Sequence, residues 1–324
     1  GFIYYKNEYV QRDINKAICY LTLAANQNHA KAQLILGLIY STSHFISRDM
    51  QKAIHYFTMA SYQNSDEAQF NLGLIYSTDE YVPRDINKSI YYYSLSADQN
   101  NAYAQNNLGL IYFLGEYVSI DLNKALYYFS CAANQNDSYA QKNLGILYAN
   151  RNYGMYDMNK AIYYLTLSAK QNDAYAQFCL GCIYLDGNDV SRDISKAIYY
   201  FSLASDQNHA ESQFYLGHIY MSSEYNVQDI NKSIHYFSLA AEKNYLDAQY
   251  LLASMYSSGY ETEPNIEKAV HYYTLAANQN YSDAQYYLGA LYRKDDAFHD
   301  IQKSIFYLEL AAEQNHKKAQ FLLG

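Results

Sequence analysis

The chain has no tryptophan, two prolines and four cysteines in 324 residues. Proline breaks a helix by removing a donor and clashing with the preceding turn, so nearly the whole length is free to be helical. Four cysteines are too few for a disulfide scaffold. No run of 18 apolar residues occurs, so no segment reads as a membrane span, and membrane insertion is not expected. Basic charge is also short. Lys and Arg number 23 against 32 Asp and Glu, a formal net charge of −9. An acidic surface repels a phosphate backbone, which argues against a nucleic-acid partner. The chain opens at Gly1 without a Met, as a processed or excised segment would, so targeting is not readable.

Apolar residues, by contrast, make up half of the sequence, and 42 residues are Tyr. They are arranged periodically. Glycines recur at a step of 36 or its multiple from Gly37 to Gly289, with Ala253 in the one missing place. Glutamines keep the same step from Gln33 to Gln285, and Gln320 follows after 35 because the segment at 293–300 is one residue shorter. One frame therefore holds nine times over residues 1–324, the pattern of a stacked array rather than of separate globular domains.

Each unit contains two helical stripes. The first opens on Asp at 13, 49, 85, 121, 157, 193, 229 and 300, or on Asn265, all residues that can cap a helix N-terminus. Ala17, Tyr20 or Leu21, and Ala24 follow at helical spacing, and the pattern stops at an Asn that tolerates the left-handed conformation, from Asn28 to Asn315. In the second stripe Ala32, Leu36, Ile39 and Tyr40 fall at i, i+4, i+7, i+8. A glycine inside a helix costs about 1 kcal/mol relative to Ala, so its recurrence predicts close helix contact. Each unit therefore reads as two antiparallel helices. Neither end carries a polar capping repeat, which repeat arrays usually need, so the chain is expected to be a segment of a longer one.

Chemistry is sparse. Cys179 and Cys182 form a C-x-x-C pair, a spacing used by redox dithiols and zinc sites. Both lie mid-helix, at places held elsewhere by Ile35, Tyr215, Leu38 or Leu74, and no second ligand pair follows. The expectation is small core or half-buried thiols, with no metal and no cofactor. The nine His scatter, and no triad, phosphate loop or carboxylate dyad stands out, so no catalytic residue is assigned. Lys16, Lys52 and their equivalents recur in every first turn, against the helix dipole. The N-cap Asp or the carbonyls ending the previous helix are expected to compensate. Sequons at Asn87, Asn136, Asn231 and Asn280 are ascribed to chance in an Asn- and Ser-rich chain.

The tyrosines divide. Those equivalent to Tyr20 and Tyr40 recur in every unit and are expected in the core, hydroxyl outward. A second set lies away from the alanine stripe: Cys19, His55, Tyr91, Tyr127, Tyr163, Tyr199, His235, His271 and Phe306. With Asn15, Thr22 and Asn26 it forms a stripe at i, i+4, i+7, i+11. Either these side chains cover neighbouring helices, or they form an exposed aromatic row of the kind enriched at binding hot spots.

The segments "KAIHYFTMASYQN" at 52–64 with "EAQFNLGLIY" at 67–76, and "KSIYYYSLSADQN" at 88–100 with "AYAQNNLGLIY" at 102–112, resemble the Sel1-like repeat family, relatives of the tetratricopeptide repeats. The 36-residue period favours it over the 34 of ordinary tetratricopeptide repeats. Two departures stand out: Asn replaces the usual Gly after the first helix, and the glycine-rich loop is largely lost. The resemblance covers the whole chain. It implies an all-α fold, an α/α superhelical solenoid of about nine 36-residue two-helix repeats. It also implies a non-enzymatic scaffold or adaptor that binds a protein or peptide in a concave groove lined by first helices. His55, Tyr91, Tyr127, Tyr163, Tyr199, His235 and His271 are then the candidate partner-binding residues. The alternative is a regulatory or substrate-recruiting array fused to a catalytic domain, such as a protein kinase, outside these residues. Hydrolysis by the array itself, claimed for cysteine-rich bacterial members, would need Cys pairs bridging each unit, which are absent here. Free thiols favour a reducing compartment, the cytoplasm.

Overall fold

A computed structural model describes residues 13–42, 46–78, 80, 82–259, 263–294 and 298–324. Its contacts divide the chain into two compact units, Gly1–Gln171 and Asn172–Gly324.

In the first unit the described elements are α1 (Ile14–Asn26), α2 (Ala30–Thr42), α3 (Met50–Tyr62), α4 (Asp66–Ser77), α5 (Ile86–Asp98), α6 (Ala102–Leu114), α7 (Leu122–Asn134), α8 (Ser138–Ala149) and α9 (Met158–Lys170). A 3₁₀ turn, Arg151–Tyr153, follows α8. The second unit holds α10 (Ala174–Asp186), α11 (Ile194–Asp206), α12 (Ala210–Met221), α13 (Ile230–Glu242), α14 (Leu246–Ser258), α15 (Ile266–Asn278), α16 (Ser282–Lys294), α17 (Ile301–Glu313) and α18 (Lys317–Leu323). Its 3₁₀ turn is Ser223–Tyr225, after α12. Odd-numbered helices are the first of each repeat and even-numbered helices the second. Among the described residues there is no strand. The fold is an all-α helical-repeat solenoid.

The ends of the first helices follow from their sequence. Asp49 Oδ1 accepts from the Lys52 amide at 3.0 Å, and every other first-helix cap repeats this bond, with Asn265 replacing Asp before α15. Such a cap contributes about 1 kcal/mol. At the other end Asn28 takes φ 63°, and its counterparts through Asn315 lie between 60° and 67°. There the His29 amide donates to the Ala24 carbonyl at 3.2 Å and the Asn28 amide to Ala25 at 2.9 Å. These are the two bonds of a Schellman cap, so Asn does the work of the missing Gly.

Within each unit, a second helix flanked by both neighbours, such as α2, α4, α6, α8, α12, α14 or α16, packs more extensively against the first helix of the following repeat than against its own partner. The recurrent glycine explains this. A Cβ built on Gly37 would sit 2.5 Å from the Phe57 ring, and Gly73, Gly109, Gly181 and Gly217 face Tyr93, Phe129, Phe201 and Phe237 in the same way. The predicted close contact is therefore a ring laid on bare backbone. Phe57, Phe129, Phe201 and Phe237 are fully buried. Ser89, Ser233 and Ser304 stand where most repeats have Ala, and each hydroxyl donates to the Gly73, Gly217 or Gly289 carbonyl at 2.8 Å. The buried stripe of α1 is Ala17, Leu21 and Ala25, with Ala24 half-buried. In the later first helices the place of Ala24 is fully buried, as at Ala60, Ser96, Ala132 and Ala204, so the expected line of Ala17, Leu21 and Ala24 holds there.

The recurrent glutamine, periodic but unexplained in sequence, is buried from Gln33 to Gln285 and, except at Gln213, engaged at both ends of its amide. Gln33 Nε2 donates to the Ala25 carbonyl at 3.1 Å, which ties the second helix to the end of the first. Its Oε1 accepts from Gln63 of the next repeat at 2.6 Å. The same bond joins Gln99 to Gln69, Gln135 to Gln105 and Gln171 to Gln141 in the first unit, and Gln207 to Gln177, Gln279 to Gln249 and Gln314 to Gln285 in the second. One rung differs. Lys243 stands where the donor Gln belongs, and the buried Gln213 Oε1 has no partner.

Candidate protein-interaction face

The outer face of each first helix is an assembly of rings. Tyr56 of α3 stacks on Tyr40 of α2 with centroids 5.9 Å apart and planes within 6°. The equivalent pairs, through Tyr292 and Tyr307, lie at 5.8–6.1 Å. Tyr292 is in the core as expected, the other stacked rings are half-buried against it, and Tyr20 is exposed. They flank the alanine stripe instead of lying on it. Burial still pushes the phenols of Tyr92, Tyr128, Tyr164, Tyr236 and Tyr307 above their ordinary range.

The recurrent lysine covers the outer ring of each stack. Lys124 Nζ lies 4.6 Å from the Tyr112 centroid and 3.7 Å from Asp121 Oδ2, and the arrangement repeats with Lys52, Lys88, Lys160, Lys196, Lys232 and Lys303. A cation at a helix N-terminus is thus compensated by the capping carboxylate and a π face. The carboxyls of Asp49, Asp85, Asp157, Asp193, Asp229 and Asp300 are held below the usual range, first by the backbone amide they accept from and then by the lysine.

All seven candidate partner-binding residues lie on this face. His55, Tyr91, Tyr127 and Tyr163 are exposed on α3, α5, α7 and α9 of the first unit; Tyr199, His235 and His271 are exposed on α11, α13 and α15 of the second. Tyr127 is 63% exposed, and Tyr91, Tyr163 and Tyr199 are each 58% exposed. Each ring meets the following tyrosine edge-on, with centroids 5.0–5.2 Å apart. The Cys131 thiol, one turn on, pushes the Tyr127 phenol upward. The exposed aromatics are therefore propped side chains that face solvent.

Two further features were not read from the sequence. Tyr103 and Tyr139 of the first unit, and Tyr175 of the second, are exposed in the first turns of second helices; the 36-residue step of the tyrosines was the signal. The second unit also contains a cleft of about 660 Å³ between α10 and α12.

The cysteines are all reduced thiols. Cys179 and Cys182 lie within α10, half-buried, and Cys182 packs among the apolar residues around Phe201 and Leu216. Burial pushes its thiol up to about 12, so it stays protonated at neutral pH. Among the described residues no three His, Cys, Asp or Glu side chains converge as metal ligands, and no helix is long and apolar enough to cross a membrane.

Glycine-seated rings, asparagine Schellman caps and a glutamine ladder, recurring in helix pairs, define the α/α repeat class of interaction proteins. A family model described as Sel1 repeat matches nine consecutive segments, at 1–29, 30–65, 66–101, 102–137, 138–173, 174–209, 210–245, 246–281 and 282–316, and the chain belongs to the Sel1 repeat family. Among solved structures, c5321, a protective antigen of uropathogenic Escherichia coli strains with an SLR fold, is 28% identical with a TM-score of 0.80, over 99% of this chain and 69% of that one. A Sel1 repeat protein from Oxalobacter formigenes is 28% identical with a TM-score of 0.77, over 94% of this chain and 89% of that one. No curated protein matches the chain in sequence. Repeats of this family are generally protein-interaction scaffolds, and the fold is typically non-catalytic.

Proposed function

We propose that the chain is a scaffold that binds a protein or peptide partner through the aromatic row of its first helices. His55, Tyr91, Tyr127 and Tyr163 are the contact positions in the first unit, and Tyr199, His235 and His271 those in the second. The observation that carries this reading is the exposure of the row: the tyrosines lie 58–63% open to solvent, each propped edge-on by a neighbour. A tyrosine loses little entropy on binding because it has two side-chain torsions, and these are already restricted here. A groove lined by such positions selects its partner through the side chains that vary from repeat to repeat. The test is to replace Tyr127 and Tyr163 with Ala. Partner capture from lysate, read by mass spectrometry, is expected to fall at least ~10-fold, as for loss of a hot spot, with helicity by circular dichroism nearly unchanged. Undiminished capture would remove the row from the binding site.

A further inference from the structure

The corners after α8 and α12 occupy the same place in the repeat, and both form a 3₁₀ turn. In the first unit that corner is closed by rings. Phe113 of α6 meets Tyr153 edge-on at 5.5 Å and Phe129 at 6.2 Å. The second unit has Leu185 where the first has Phe113, Tyr225 in place of Tyr153, and His218 and Met221 in place of Ile146 and Ala149. A leucine does not span the distance that a phenyl ring does, and the cleft of about 660 Å³ opens there, lined by Leu185, Phe214, His218, Met221 and Tyr225. A second hollow of about 250 Å³ runs on from Met221 to Leu251 and Met255 of α14. Aromatic rings and methionines, which adapt to varied shapes, thus form the lining from α10 to α14.

The surroundings are acidic. Asp186, exposed at the end of α10 next to Leu185, accepts from Asn188 Nδ2 and adds to the burial that raises the Cys182 thiol. Asp247, exposed one turn before Leu251 in α14, instead raises the proton affinity of His218 against the opposing effect of burial. Glu211, exposed on the first turn of α12, lies 3.6 Å from His209 Nε2. Glu224 in the corner is already paired, with Arg192 at 2.7 Å. Charge is also divided unequally along the chain. Residues 1–171 hold 13 Asp and Glu against 13 Lys and Arg, whereas residues 172–324 hold 19 against 10, so the entire net charge of −9 belongs to the second unit.

We propose that this trough docks a cationic amphipathic segment of another protein, with a large apolar side chain in the cleft beside His218 and its Lys or Arg residues facing Asp186 and Asp247. The proposal rests on the reading of the chain as an interaction scaffold, but it puts the contact on the second helices of the second unit. Rings, leucines and methionines among serines line the trough, and the exposed acids lie beside it, which supplies the complementarity: apolar burial holds the anchor and the acids select the charge.

The probe is a fluorescein-labelled helical peptide of Leu, Phe and Lys, paired with a twin in which every Lys is Glu. Anisotropy gives the affinity, and methyl NMR of Met221 and Met255 gives the place. The Lys peptide is expected to bind and to shift both methyls, and the Glu twin to fail. Leu185→Phe restores the ring that closes the first unit's corner and should weaken binding at least ~10-fold, a loss of about 1.4 kcal/mol; His218→Ile, which copies Ile146, should weaken it also. Both copy residues of the other corner and are checked by thermal melting. Replacing Tyr127 and Tyr163 with Ala should leave peptide affinity unchanged. Absence of binding, equal binding of the Glu twin, or undiminished binding to Leu185→Phe would overturn the trough. If a partner of the full chain is lost with the tyrosine variant and kept with Leu185→Phe, the scaffold reading stands and the trough falls.

Discussion

The first unit, Gly1–Gln171, and the second, Asn172–Gly324, share one repeat and differ in what they leave open. Both lay an aromatic ring on the recurrent glycine, close first helices with Asn, and link repeats through paired glutamines. The first balances its charges and fills its 3₁₀ corner with Phe113 and Tyr153; the second carries the acidic excess and leaves the matching corner hollow beside Leu185 and Tyr225. Packing contacts thus stay constant along the chain, while surface places vary without cost to the stack. A repeat protein can therefore place different binding chemistry on different repeats.

The largest effect expected from perturbing this comparison is in what the units share. Phe129→Ala in the first and Phe237→Ala in the second should each cost about 3–5 kcal/mol, because each ring is fully buried on a glycine. Chemical denaturation of the two variants measures this, and clearly unequal losses would show that the seat is not equivalent. A smaller effect belongs to the incomplete rung. Lys243→Gln should supply the missing donor to Gln213 and stabilise the protein by about 0.5–1.5 kcal/mol. An unchanged or lower midpoint in urea would mean that Gln213 is satisfied in another way.

The smallest effect is on acidification. His209 caps α12 through Nδ1, which accepts from the Ser212 amide at 3.3 Å, and burial lowers its proton affinity, as it does for His218. A His whose folded pKa lies below its unfolded value of about 6.5 contributes stability above that value. The contribution is lost as pH falls from there through the folded pKa, because the unfolded chain takes up the proton first. Asp137, the cap of α8, behaves oppositely, since burial raises its carboxyl and the folded state then gains as pH falls toward the carboxylate range. Amide exchange at pH 7 and pH 5 should therefore show α12 losing protection relative to α8. Equal change in both helices would contradict the assignment.

Much of this was legible from spacing. Helix pairs, Asp caps, Asn terminators and the glycine contact all follow from single residues at a 36-residue step, because each acts through its own backbone or its immediate neighbour. The lysine's compensation was foreseen only in part. The N-cap Asp or the carbonyls ending the previous helix were expected as its partner; the Asp is one, whereas the tyrosine beneath it comes from the preceding helix and is brought there by packing. The tyrosines equivalent to Tyr56 could not be separated from core by composition, since a half-buried stack and a buried ring have the same periodicity. The candidate row, His55 to His271, was legible as a stripe because its period is that of the repeat. The trough was not, because it depends on Leu185, His218 and Tyr225 from three places that meet only in the folded second unit.

The sequence by itself determined the repeat, its helices and their ends, since capping, helical period and the φ of Asn are local matters. Tertiary structure decided what the periodic glutamines do, which rings lie on which glycines, and where the surface stays open. Those outcomes depend on atoms 30 or so residues apart, such as Gln63 on Gln33, and on whether a neighbouring side chain is long enough to fill the space between two helices.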